Sequence, residues 1–260
     1  MNLSGKVAIV TGGGTGVGRA ATALLTAAGC QAVITYSKSQ ADAEATAAAL
    51  STDRIRVHAL RADVSDDAAC RRMVAHTVAE LGGVHILVHC AGTTDFIPFD
   101  QLDQVTDDVW QRLFQVNVVG AFHCARAVRK PMLAAGGGVI INVSSVAAQI
   151  AQGSSIPYCA SKAALDNLTV SLARTFAPHI RVNGVAPGFI TGRWLENGLG
   201  ENYDRVKQAF ERSLPLGRVC DPEDVAAAIL SLITGSQLIT GQTLVVDSGM
   251  LIAGFQAKFK

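Results

Sequence analysis

The chain has 260 residues, 49% of them apolar and 17% charged, which suits one large α/β domain or two small ones and excludes a disordered chain. A formal net charge of +1 speaks against nucleic acid or an anionic membrane as partner, and 5% aromatic content speaks against a base-stacking platform. The six cysteines form no CxxC pair, so no metal site is expected and they read as reduced thiols packed as small hydrophobes.

The first residues, MNLSGKVAIV, lack a charged region followed by a long apolar run, and no stretch reaches the ~18 apolar residues of a membrane span. A cytoplasmic protein is expected. KVAIV (6–10) reads as a buried parallel strand. A turn with Gly12, Gly13, Gly14, Gly16 and Gly18 follows, then a helix over 18–29 stopped by Gly29. QAVITY (31–36) is a strand, the Ala-rich 40–50 a helix, and RIRVHAL (54–60) a third strand. A helix over 66–83 ends at a glycine pair, and HILVHC (85–90) is the fourth strand. A long helix fills about 106–135, followed by strand 138–144, helix 158–177 and strand 180–186. After an irregular stretch come a helix over 222–233, with Pro in its first turn, and a last strand over 243–247. This alternation, with no linker or repeat, predicts a single-domain α/β fold: a doubly wound parallel sheet, Rossmann-like, with helices on both faces. A (β/α)8 barrel would also alternate. The glycines after the first strand favour the open sheet, which binds nucleotide there.

Glycine at a helix start costs conformational entropy, so something must need the backbone itself. N–H groups at that end, and the helix dipole, favour a pyrophosphate, and side chains would hold the phosphates away. The spacing G-x-G-x-x-G fits only in its Ala-ended form, from Gly16 to Ala21. Further along, YCASK sets Tyr158 and Lys162 one helical turn apart on one face. An ammonium there is expected to lower the phenol pKa toward working pH, so that Tyr158 can pass a proton to a carbonyl oxygen. INVSS ends the fifth strand at the edge where such sheets bind ligands.

Thr11, Gly12, Gly16 and Gly18 spell T-G-x-x-x-G-x-G, which resembles the nucleotide turn of the classical short-chain dehydrogenase/reductase family, and in particular its 3-oxoacyl-[acyl-carrier-protein] reductase-like members. The resemblance runs along almost the whole chain. It implies a catalytic set of Asn117, Ser145, Tyr158 and Lys162. It selects Ser145 over Ser144, which is left as a turn residue. It gives Asn117 the task of bonding the backbone and holding a water that relays protons to Lys162. It implies cofactor contacts at Gly12, Thr15, Gly16, Val17 and Gly18, at Asp63 and Val64 beside adenine, at Cys90, Ala91 and Gly92, and at Pro187, Gly188 and Ile190 beside the nicotinamide, with Tyr158 and Lys162 joining them. Two departures stand out. HCAG replaces the usual N-N-A-G, so the bonds that brace the sheet need another source, and His89 reads as a structural replacement, not a base. Gly192 stands where the family often has Thr, with Thr191 just before it.

The second strand ends in Tyr36, Ser37, Lys38 and Ser39, with no carboxylate until Asp42. Hydroxyls and an ammonium suit a 2′-phosphate, so NADP(H) is expected over NAD(H). Residues 189–221 interrupt the alternation; the resemblance implies a mobile substrate lid, while an amphipathic helix packed on the core would show the same pattern. The expected activity is reduction of a ketone, such as a 3-oxoacyl thioester, to a secondary alcohol. An NAD-linked alcohol or sugar dehydrogenase and a non-catalytic NADPH-binding sensor are the alternatives. The resemblance also implies a homo-oligomer, dimer or tetramer, through the helices at about 106–135 and 158–177.

Overall fold

All five residues of the first strand, β1 (Val7–Thr11), are buried, as a strand covered on both faces requires. The structure, a computed structural model, describes residues 1–253. After β1 come α1 (Gly16–Ala27), β2 (Gln31–Tyr36), α2 (Gln40–Leu50), β3 (Val57–Arg61), α3 (Asp67–Leu81) and β4 (Ile86–His89). A helical stretch follows as α4 (Asp107–Phe114), one wide π-turn (Gln115–Val119) and α5 (Gly120–Ala134). Then come β5 (Gly138–Val143), the single turn α6 (Ala147–Ile150), α7 (Ile156–Phe176) and β6 (Ile180–Pro187). The chain closes with α8 (Arg193–Leu199), α9 (Tyr203–Ser213), α10 (Pro222–Thr234) and β7 (Thr243–Val246). Among the described residues no helix is long and apolar enough to cross a membrane.

The sheet is parallel, in the order β3-β2-β1-β4-β5-β6-β7. The chain walks outward from β1 to β3, then returns to β4 and walks the other way. That reversal opens a crevice at the carboxyl ends of β1 and β4. Side chains alternate along each strand even though both faces are buried. Ala8 and Val10 pack with Leu25 of α1 and Ile229 and Ile233 of α10. Ile9 points the other way, into a core with Leu87, Ile140, Val128 and Met132.

Several boundaries differ from the expected ones, and three of the differences have a polar reason. The third strand begins at Val57, not Arg54. The preceding residues form a turn closed by the Thr52 N–H on the Ile55 carbonyl at 2.9 Å, and the Ser51 hydroxyl accepts from the Val57 N–H at 3.1 Å. Helix α7 begins two residues early, because the Ser155 hydroxyl caps the Tyr158 N–H at 3.4 Å and Pro157 suits a first turn. The long helix is interrupted, with Asn117 inside the π-turn.

The glycine-rich turn also has a different explanation from the one expected. A Cβ on Gly18 would stand 2.3 Å from the Gly12 carbonyl oxygen, one on Gly13 2.7 Å from Ile34 Cβ, and one on Gly14 2.8 Å from Ala43 Cα. These three glycines let the protein pack against itself. Gly16 is the one whose Cβ would meet open space, and its φ of +48° keeps other residues away. Gly18→Ala must therefore push the turn open. It is expected to cost about 1–3 kcal/mol in urea unfolding, the range for overpacking a tight site.

Candidate active site

The crevice at the sheet reversal is a single cavity of about 1410 Å³. Every expected cofactor contact lines it, from Gly12 and Thr15 through Lys38, Asp63, Cys90 and Gly92 to Pro187 and Ile190, and so do Ser145, Tyr158 and Lys162. Asn117 does not: it is fully buried behind the wall. Open space beside Gly16, the start of α1 and one continuous trough fit a dinucleotide laid from the Lys38 loop to Lys162.

Lys162 is 5% exposed, and its ammonium donates to the Val143 carbonyl at the end of β5, at 2.9 Å. Burial lowers its pKa from 10.5 to about 8, against the pull of Asp166 one turn further along α7. Burial likewise raises the Asp166 carboxyl, which the Ser144 and Thr243 hydroxyls oppose. Lys162 Nζ sits 5.6 Å from the centre of the Tyr158 ring. The expected depression of the phenol is not found. Burial pushes Tyr158 up to about 12, and the nearby Ser145 hydroxyl draws it down only in part. At neutral pH this phenol holds its proton, the state required of a donor. The Ser145 oxygen accepts from the Ala147 N–H at 3.2 Å, so its own proton faces the cleft on the Tyr158 side.

Asn117 fastens two walls together. Its Oδ1 accepts from the Thr93 N–H at 2.8 Å; its Nδ2 donates to the Thr93 carbonyl at 3.0 Å and to the Ser161 hydroxyl at 2.9 Å. Ser161 in turn donates to the Tyr158 carbonyl at 2.8 Å. The sequence reading missed Thr93, Ser161 and Asp166. Only Asp166 carried a signal, its place four residues after Lys162.

The two departures are resolved by new pairings. Thr11 Oγ1 lies 3.1 Å from His89 Nδ1 and accepts from the Ala91 N–H at 3.0 Å, so a threonine and a histidine stitch β1 to β4 where two asparagines are usual. His89 is 1% exposed, and burial together with the Lys162 charge lowers its pKa to about 3, so the ring is neutral at working pH. Cys90 next to it is pushed up to about 12 by burial, so its thiol stays protonated. Thr191 is not free for a carboxamide: its hydroxyl bonds Asp221 and its N–H bonds the Cys220 carbonyl at 2.9 Å.

Residues 189–221 contain α8 and α9, which pack on the core and also line the cleft. Phe189 packs against Tyr203 and Phe210, with ring centres 6.0 and 5.2 Å apart, in a small core that includes Leu214 and Val219. Phe210, Trp194 and Leu199 also line the cleft. Arg193 crosses to Asp42 of α2 at 3.0 Å, tying this segment to the far side of the trough.

A family profile described as enoyl-(acyl carrier protein) reductase matches residues 12–251. The chain belongs to the short-chain dehydrogenase/reductase family. A protein named ketoacyl reductase 2 of the granaticin polyketide synthase, from Streptomyces violaceoruber, is 39% identical over 94% of this chain and 95% of its own length. An NAD-dependent glycerol dehydrogenase from Listeria innocua is 32% identical over 96% of each chain. The solved structure of a short-chain type dehydrogenase/reductase from Mycobacterium ulcerans superposes with a TM-score of 0.87 at 26% identity, covering 96% of this chain and 90% of that one. This short-chain dehydrogenase/reductase is thus an NAD(P)-dependent oxidoreductase. Its Thr11–His89 stitch has a direct test. Thr11→Val keeps the shape and orphans the half-buried Ala91 N–H and the buried His89 Nδ1. It is expected to lower stability to urea by about 1–3 kcal/mol.

Proposed function

We propose that this chain reduces a ketone to a secondary alcohol with NADPH, and that Asn117, Ser145, Tyr158 and Lys162 carry the reaction. The observation that carries the reading is the convergence of Ser145, Tyr158 and Lys162 on one cavity, with Lys162 one turn from Tyr158 on the same helix and its Nζ 5.6 Å from the ring centre. The nicotinamide nucleotide supplies the hydride for the carbonyl carbon. The Ser145 hydroxyl donates to the carbonyl oxygen and holds it in place. Tyr158 passes its phenolic proton to that oxygen as charge builds there. The Lys162 ammonium stabilises the phenolate left behind and anchors the nucleotide ribose, and Asn117 positions Thr93 and α7 and holds the water that reloads the proton. The relative named a ketoacyl reductase supports this direction and a 3-oxoacyl thioester as one substrate. The glycerol dehydrogenase supports the oxidative reading with NAD as the alternative.

Two features support NADPH over NADH. Lys38, Ser37 and Ser39 are exposed at the trough end beside β2. The first carboxylate after them, Asp42, is already paired with Arg193 and so offers no free oxygen pair to a ribose diol. A cytoplasmic setting fits six unbridged thiols. Assembly as a dimer or tetramer is supported by the outward faces of α5 and α7, where Phe122 and Val170 are exposed, with Ala163 beside them.

Three experiments test this. Tyr158→Phe is expected to lower turnover about 10²–10⁴-fold while nucleotide still binds, since it removes a general acid; unchanged turnover would remove Tyr158 from the chemistry. Lys38→Asp is expected to weaken NADPH about ten- to a hundredfold, the worth of one charged hydrogen bond of about 1.5–3 kcal/mol, and to spare NADH. The pH profile follows from Lys162, whose ammonium is full below about 8 and lost above it. Thus kcat/KM for NADPH should hold steady below about 8 and fall above, with no such limb in Lys162→Met.

A further inference from the structure

Four large apolar side chains stand in solvent along one wall of the cleft. Phe96, Phe99, Ile150 and Trp194 are 36%, 41%, 38% and 47% exposed, and all four line the cavity that holds Ser145 and Tyr158. Single exposed hydrophobics are ordinary; four lining one cavity mark a binding surface. They come from three separate segments: the stretch between β4 and α4, the end of α6, and the first turn of α8. The wall is fitted. The Phe96 ring lies 2.0 Å from where a Cβ on Gly198 would stand, so α8 carries a glycine where the ring crosses it. The place for a Cβ on Gly92 is 3.9 Å from the Trp194 indole and 3.7 Å from Lys162 Nζ, so the indole overhangs the catalytic end.

The arginines nearby are paired. Arg112, which lines this end, donates to Asp95 at 3.2 Å through one nitrogen and pairs with it through a second. Arg193 is held by Asp42. Among the described residues Lys162 bonds only the Val143 carbonyl, and its charge is the one that serves the phenolate and the ribose. A carboxylate or phosphate brought to this wall would lose its water and would have to displace a paired arginine or compete for that ammonium. The Thr94 and Ser154 hydroxyls bond each other, which leaves them little to offer a polyol.

We propose that the substrate is an uncharged, ring-bearing ketone. Its flat apolar body lies against Trp194, Phe96 and Phe99, and its carbonyl reaches Ser145 and Tyr158. Keto acids and keto sugars are poor substrates. This rests on the ketone-reductase reading above and narrows it. Aromatic walls favour ring stacking and edge contacts that a short or hydroxylated chain cannot make.

The test compares 1-tetralone, cyclohexanone, acetoacetate and dihydroxyacetone. Their affinities are measured by calorimetry on the NADPH-loaded Tyr158→Phe full chain, where turnover is slowed about 10²–10⁴-fold, and their kcat/KM values on the unmodified enzyme. 1-Tetralone is expected to bind at least tenfold tighter than acetoacetate and dihydroxyacetone and to lead in kcat/KM. Trp194→Ala should erase most of its advantage over cyclohexanone, and Trp194→Phe should restore part of it. Phe99→Ala gives a second, independent reading of the wall. Acetoacetate or dihydroxyacetone binding as tightly as 1-tetralone overturns the proposal, and so does an advantage left intact in both alanine variants. Tight 1-tetralone binding with no NADPH oxidation by the unmodified enzyme would support the wall and overturn the reductase reading instead.

Discussion

A buried ammonium is the constraint on which the site depends. Lys162 is almost wholly withdrawn from water, and among the described residues its hydrogen-bond partner is a backbone carbonyl at the carboxyl end of β5. That carbonyl exists in the right place only because β5 ends at Val143, beside β4 and β6, at the reversal of the sheet. The same burial that drags the lysine from 10.5 down to about 8 pushes Tyr158 from 10.0 up to about 12, so two groups nearly matched in water are driven apart. A surface pair of identical residues would have kept its ordinary values. The chemistry is thus a property of where α7 lies on the sheet more than of the two side chains.

Much of this was legible in the chain. Strand and helix order, the open sheet and the cavity-lining residues from Gly12 to Ile190 all followed from alternation, from the glycine cluster and from the family resemblance. What could not be read was what each polar group meets. Thr11 and His89 are 78 residues apart, and nothing local signals that they meet across β1 and β4. Arg193 and Asp42 are 151 apart. The glycines were visible, but their reason was not. Three of the five are demanded by Ile34, Ala43 and the Gly12 carbonyl, contacts set by how α1 and α2 sit on the sheet. The phenol pKa was hidden for a related cause: the ammonium on the same helix face is visible in the sequence, and the loss of water around the ring is not.

The segment over the cleft joins these levels. Its apolar residues hold α9 on a small core of its own, while α8 projects an indole over the catalytic end and a guanidinium over the nucleotide end. One stretch of chain therefore touches both halves of the trough. Thr191 and Asp221 pin its two ends to each other, which fixes where it can sit.

The wide turn at Gln115–Val119 has a consequence for how this chain can change over time. It places one residue more than a regular helix would between Phe114 and Gly120, and it puts the Asn117 carboxamide on Thr93 and Ser161. Losing one residue there would restore ordinary helical bonding and favour the helix locally. The wide turn takes up its extra residue within a single turn, so the two halves would keep their faces and Cys124, Val128 and Met132 would stay on the sheet. The bulged carboxamide would not: Asn117 would leave Thr93 and Ser161. Single-residue deletions, which loops absorb freely, are thus closed to this helix, and its imperfection is preserved by the loss its repair would cause.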